Sequence, residues 1–132
     1  MANIVIIDDE AEICEVLQTM LEQQEHRVRT TTHPQNLAQI LTPKPDVVLL
    51  DVLLPDINGL ECMPQIKSLA PEAKIVIITG LNDYHLADAF YEAGACGFLN
   101  KPLRRDQILT TLQRVLASSP DSQLGAPPLP CT

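Results

Sequence analysis

Val47-Val48-Leu49-Leu50-Asp51 runs straight into Val52-Leu53-Leu54-Pro55-Asp56-Ile57-Asn58-Gly59, and the reading of this junction decides the fold. Its first four residues are apolar without alternation, and no charge precedes Asp51 within the run. A continuous run with β-branched residues reads as a strand buried on both faces of a parallel sheet. Asp51 then stands at the carboxyl end of a central strand, the edge of an open α/β sheet where ligands and chemistry collect.

Working outward, Asn3-Ile4-Val5-Ile6-Ile7 is a second buried strand, and it too ends in acids, Asp8-Asp9-Glu10. Ile13, Val16, Leu17, Met20 and Leu21 then recur at helical spacing among glutamates and glutamines, which predicts a surface helix with those five residues on its inner face. Arg27 to Thr32 is a weaker, more polar strand suited to an edge. His33-Pro34 opens a short helix carrying Leu37, Ile40 and Leu41, and Pro43 and Pro45 stop it before the central strand.

Beyond that strand, Asn58 is a suitable N-cap for a helix to about Leu69, with Pro64 predicting a bend or a late start. Ala73 to Thr79 is a fourth strand. Asn82 or Asp83 caps a helix through Ala93, Gly94 stops it, and Cys96 to Asn100 is a fifth strand that ends at Lys101-Pro102. Arg104 to Ala117, with Ile108, Leu112, Val115 and Leu116, is the last helix. From Ser118 the sequence turns to Ser, Pro, Gly and Ala with little charge, the composition of a linker or disordered tail. The expectation is one α/β domain over 1–117, a doubly wound, flavodoxin-like parallel sheet of five strands in the order 2-1-3-4-5 with five helices, followed by a tail over 118–132.

Composition narrows the function. The 132 residues are 45% hydrophobic and 20% charged, and the formal net charge is −8. An acidic balance disfavours direct nucleic-acid binding, which rests on basic patches, and favours a protein or a cation as partner. Cys14, Cys62, Cys96 and Cys131 lack metal-ligand or CxxC spacing and read as reduced cysteines of a cytoplasmic protein. No apolar run approaches the roughly 20 residues that span a bilayer, so no membrane association is expected.

The chemistry lies in what ends the strands: Asp8 and Asp9 after the first, Asp51 on the third, Thr79 on the fourth and Lys101 on the fifth. Adjacent strands are about 4.8 Å apart, so these groups converge on one pocket. Each has a plain reading when taken singly. Asp9 is a helix N-cap, Thr79 a strand end, Lys101 solvated surface and Asp51 a turn former. Together, three crowded carboxylates call for a cation, and all-oxygen ligation suits Mg²⁺. If the electrophile at Asp51 is phosphorus, Lys101 and the Thr79 hydroxyl are placed to hold its oxygens.

Ile7-Asp8-Asp9-Glu10, Leu50-Asp51-Val52, Leu54-Pro55-Asp56-Ile57-Asn58-Gly59, Thr79-Gly80 and Gly94 through Pro102 together resemble the receiver domain of two-component response regulators. The resemblance covers Asn3 to about Ala117. It implies that a histidine kinase or phosphotransfer protein phosphorylates Asp51, and that Asp8, Asp9, Asp51 and the Leu53 carbonyl hold Mg²⁺. It further implies that Lys101 and Thr79 contact the phosphoryl group, that Phe98 belongs to a rotamer switch, and that the peptide before Pro102 is cis. Such a domain is a signalling switch that catalyses only its own phosphorylation and dephosphorylation. Its output would be a protein interaction surface, with a phosphorylation-dependent homodimer through the Asp83–Ala117 face as one form. The family also places the positions two after the acceptor and two after the Thr beside the path of attacking water. Here these are Leu53 and Leu81, which implies slow loss of the phosphoryl group.

Two rivals come from the same residues. An aspartate-nucleophile phosphatase or phosphotransferase needs a second acid two positions after the nucleophile, where this chain has Leu53. An inactive receiver serving only as an interaction module would lack one of the acid, hydroxyl or lysine positions, and none is missing. The sequence contains no DNA-binding or ATPase motif, so the chain is expected either to act alone by docking a protein or to be the receiver portion of a longer protein.

Overall fold

The computed structural model describes residues 2–32, 37–51, 59–80 and 84–117, with the backbone alone for 59–60 and 84–87. The elements alternate along the chain: β1 (Asn3–Ile7), α1 (Ala11–Glu22), β2 (Arg27–Thr31), α2 (Leu37–Ile40), β3 (Val47–Asp51), α3 (Gly59–Leu69), β4 (Lys74–Thr79), α4 (Tyr84–Glu92), β5 (Gly97–Asn100) and α5 (Arg105–Ala117). All strand pairs are parallel, in the order β2-β1-β3-β4-β5. The five-stranded doubly wound fold and its strand order are as the apolar runs predict. The segments 33–36, 52–58, 81–83 and 118–132 lie outside the described residues, and with them the caps expected at Asn58 and Asn82 or Asp83, the Leu53 carbonyl, Leu81 and the tail.

The central strands alternate their side chains between two cores. Val5, Ile7, Val48, Leu50, Ile75 and Ile77 face α2, α3 and α4, where Met63, Ile66 and Phe90 meet them. Ile4, Ile6, Val47, Leu49, Val76 and Ile78 face α1 and α5, against Leu17, Leu21, Ile108 and Leu112. Burial on both faces is why these runs are continuously apolar. β2, at the edge, buries only Val28.

Two helices differ from the sequence reading. In α1 the buried residues are Cys14, Leu17 and Leu21, whereas Val16 is 60% exposed. The inner stripe follows 14, 17 and 21, with Ile13 and Met20 at its margins. Two residues of α-helix turn about 200°, so Val16 points away from Cys14. In α3 the helix begins at Gly59 and includes Pro64, so there is no late start. Pro64 is exposed and supplies no N–H to the helix.

Gly94 closes α4 with φ 111°, a left-handed conformation that favours glycine. Its N–H donates to the Tyr91 carbonyl at 3.0 Å, and the Ala95 N–H reaches back to the Phe90 carbonyl at 2.9 Å. The turn delivers Cys96, whose N–H bonds the Ile75 carbonyl at 2.7 Å and starts β5 in register. Among the described residues, no helix is long and apolar enough to cross a membrane.

Candidate phosphoacceptor and metal site

Strand register assembles the site. Ile7 is the partner of Leu50, so the next residues, Asp8 and Asp51, leave the sheet side by side. Asp51 pairs with Ile78, one residue before Thr79, and Thr79 pairs with Asn100, one residue before Lys101. The Lys101 N–H donates to the Thr79 carbonyl at 2.7 Å, which carries the β4–β5 alignment past the last strand pair. Every strand end expected to contribute thus reaches one edge.

Burial of these groups is far from uniform. Asp8 and Thr79 are fully buried and Asp51 is 2% exposed, while Asp9 and Glu10 are exposed. One ligand oxygen each from Asp8, Asp9, Glu10 and Asp51 lies within 4.8 Å of the others. Lys101 Nζ is placed among them, 3.5 Å from Asp8 Oδ2, 3.4 Å from Asp51 Oδ2 and 2.7 Å from Glu10 Oε1. Burial works against the Lys101 charge, but the hydrogen bond to Glu10 and the charges of Asp8, Asp51 and Glu10 more than offset it and hold its pKa up at about 12.

Asp8 is fixed from several sides. Its N–H donates to the Thr31 carbonyl at 3.2 Å, and its Oδ1 accepts the Glu10 N–H at 2.9 Å. The Cys14 thiol donates to the Asp8 carbonyl at 3.3 Å. Burial, and after it the Asp8 charge, pushes that thiol up to about 11, so it stays protonated. Asp8 Oδ2 is buried and takes no hydrogen bond. The Lys101 ammonium is its ion-pair partner at 3.5 Å, without a hydrogen bond, and a set of carboxylate oxygens is the donor set of a hard divalent cation. The residues present fit such an ion.

Glu10 is the residue whose place here the sequence reading did not assign. It stands beside Asp8-Asp9 in the chain, yet its partner is 91 residues away. It is also the N-cap of α1, with no side-chain capping bond, so the plain N-cap reading of Asp9 does not describe this helix. Phe98 is half-buried at the margin of the α2–α4 core, with its ring centroid 6.3 Å from that of Tyr91 at 45°. The Lys101-Pro102 peptide is cis, as is Thr42-Pro43.

The sheet is doubly wound and carries acids, a hydroxyl and a lysine at one carboxyl edge, and the comparisons give the family. The family model of the response regulator receiver domain matches residues 4–113, and the chain belongs to that family. The DNA-binding transcriptional regulator NtrC of Azospirillum brasilense is 32% identical over 119 residues, 89% of this chain and 25% of the relative. The transcriptional regulatory protein ZraR of Salmonella typhimurium is 30% identical, over 95% of this chain and 29% of its own length. The chain thus spans between a quarter and a third of these two curated relatives. Among solved structures, the BeF3-activated DrrB receiver domain superposes with a TM-score of 0.78 at 32% identity, covering 89% of this chain and 99% of that one. NtrX from Brucella abortus gives 0.82 at 30% identity, over 93% of this chain and 28% of that one.

Proposed function

We propose that this domain accepts a phosphoryl group on Asp51 from the phosphohistidine of a histidine kinase or phosphotransfer protein, and that Asp8, Asp9, Asp51 and the Leu53 carbonyl hold Mg²⁺ beside it. The observation that carries the reading is the Asp51 carboxylate, almost wholly buried at the end of β3, with Lys101 Nζ 3.4 Å away and further acids in the same pocket. An Asp51 oxygen attacks phosphorus, the P–N bond breaks, and the imidazole leaves with its electron pair while an acyl phosphate forms. Little bond-making falls to the rest of the protein; positioning and charge neutralisation do the work. The Lys101 ammonium and the Thr79 hydroxyl meet the oxygens of the incoming group. Bound Mg²⁺ would supply further neutralisation of charge at the same oxygens.

The output is a change at the face of α4, β5 and α5. Phe98 and Tyr91 pack together there, and a groove of about 490 Å³ runs between β5 and α5, lined by Phe98, Asn100, Asp106, Thr110 and Arg114. A second copy of the domain is the partner we assign to this face, in an arrangement in which the same patch serves both copies. The formal charge of −8 favours a protein partner over nucleic acid.

The test is Mg²⁺-dependent labelling by a small acyl phosphate, read as the mass gain of one phosphoryl group. Wild type should gain it, chelator should prevent it, and Asp51→Asn should abolish it. Retained labelling in Asp51→Asn would place the acceptor elsewhere.

A further inference from the structure

Among the described residues Lys101 pairs with Asp8, Glu10 and Asp51, and Glu10 is the carboxylate it approaches most closely. Glu10 Oε1 accepts from Nζ at 2.7 Å, whereas the oxygens of Asp51 and Asp8 lie at 3.4 and 3.5 Å. The Glu10 side chain is 56% exposed, and those of Asp8 and Asp51 are 0% and 3%. The ammonium therefore makes its shortest contact at the rim while still pairing with both buried acids at longer range, and Asp8 Oδ2 keeps no hydrogen bond. The root of Glu10 is itself fixed, because its N–H is held by Asp8 Oδ1 at 2.9 Å and α1 begins at the next residue.

Without Glu10, Asp8 and Asp51 would draw the lysine, already 3.5 and 3.4 Å from them, further inward. A cation of charge +1 would then stand where a divalent ion has to go, and like charges a few ångströms apart in a half-dry pocket repel strongly. We propose that Glu10 is a positioning residue: it holds Lys101 at the mouth of the pocket and so keeps the buried carboxylates available to a divalent cation. This rests on reading the pocket as a divalent-cation site, and the experiment separates the two.

Mg²⁺ affinity is measured by titration calorimetry on the full chain for wild type, Glu10→Gln, Glu10→Asp, Lys101→Met and the Glu10→Gln/Lys101→Met double variant. Glu10→Gln removes the charge, whereas Glu10→Asp keeps it and shortens the reach. Both should weaken Mg²⁺ binding by roughly three- to tenfold, the scale of one displaced charge in a partly solvated site. Lys101→Met should tighten it, and in that background Glu10→Gln should change the affinity by less than about twofold. Equal losses with and without Lys101, or a Glu10→Asp variant that binds as wild type, would overturn the positioning role and leave the cation site standing. A wild-type protein that takes up no Mg²⁺ would overturn both.

Discussion

Lys101 Nζ stands 3.4 Å from Asp51 Oδ2, although 50 residues of chain separate them. The same ammonium is shared with Asp8, also buried, and with Glu10, so one positive charge answers several negative ones. Like charges crowded in a poorly solvated pocket store repulsion that folding has to offset. Asp51→Asn should therefore raise stability without metal, by on the order of 1 kcal/mol. Thermal melts in chelator check this, and a variant no more stable than wild type would count against it.

Divalent cation should stabilise the wild type by mass action, because an ion held by the proposed pocket has no such site in the unfolded chain. At about a hundredfold excess over Kd the gain is about 2.7 kcal/mol, a rise in Tm of roughly 5–10 °C. The rise should be largely lost in Asp8→Ala, which removes the buried carboxylate whose Oδ2 takes no hydrogen bond. Calorimetric scans with Mg²⁺ and with chelator measure both.

Acid should loosen the start of the chain through His26. The Ala2 N–H donates to His26 Nδ1 at 3.1 Å, so the ring is held as a neutral acceptor. Burial, and after it the N-terminal charge, puts its pKa below the usual 6.5. A folded-state pKa below the unfolded one means that the unfolded chain binds the proton first. This contribution is thus present above about pH 6.5 and lost as pH falls through the lower folded value. Denaturant melts between about pH 7.5 and about pH 5.5 should show a smaller loss in His26→Gln than in wild type; equal slopes would discount the imidazole.

Gly94→Ala should cost about 1–2 kcal/mol, because φ 111° is strained for any residue with a Cβ, and that Cβ would stand 2.7 Å from Lys67 Cε. The lysine end moves easily, so the backbone term dominates. Urea denaturation reads the loss, and labelling of Asp51 by an acyl phosphate should persist, since Gly94 lies at the opposite end of β5 from Lys101.

Loss of the phosphoryl group should be slow, on a timescale of minutes or longer. Leu53 and Leu81, two positions after Asp51 and Thr79, carry no group that could orient an attacking water, and such orientation supplies much of the rate of phosphoryl hydrolysis. Decay of the acyl phosphate in wild type is to be compared with Leu53→Asn and Leu81→Glu. Polar variants that decay no faster would make the leucines bystanders.

By itself the sequence determined the sheet. Residues 47–50, 4–7 and 75–78 are buried on both faces, and double burial leaves a local mark, an unbroken apolar run, that needs no knowledge of neighbours. The candidate pocket was legible for the same reason, because the polar residue that ends each such run must emerge at the same sheet edge. Only the tertiary structure decided what depends on a partner distant in the chain. Periodicity put Val16 on the inner face of α1, yet the buried stripe runs through Cys14, Leu17 and Leu21, and a thiol buries like a small hydrophobe although hydrophobic counting gives it little weight. Glu10 reads as one more acid at a helix start until β5 delivers Lys101 within 2.7 Å of it. The strength of an ion pair is set by separation and surrounding dielectric, and neither is written in the order of residues along a chain.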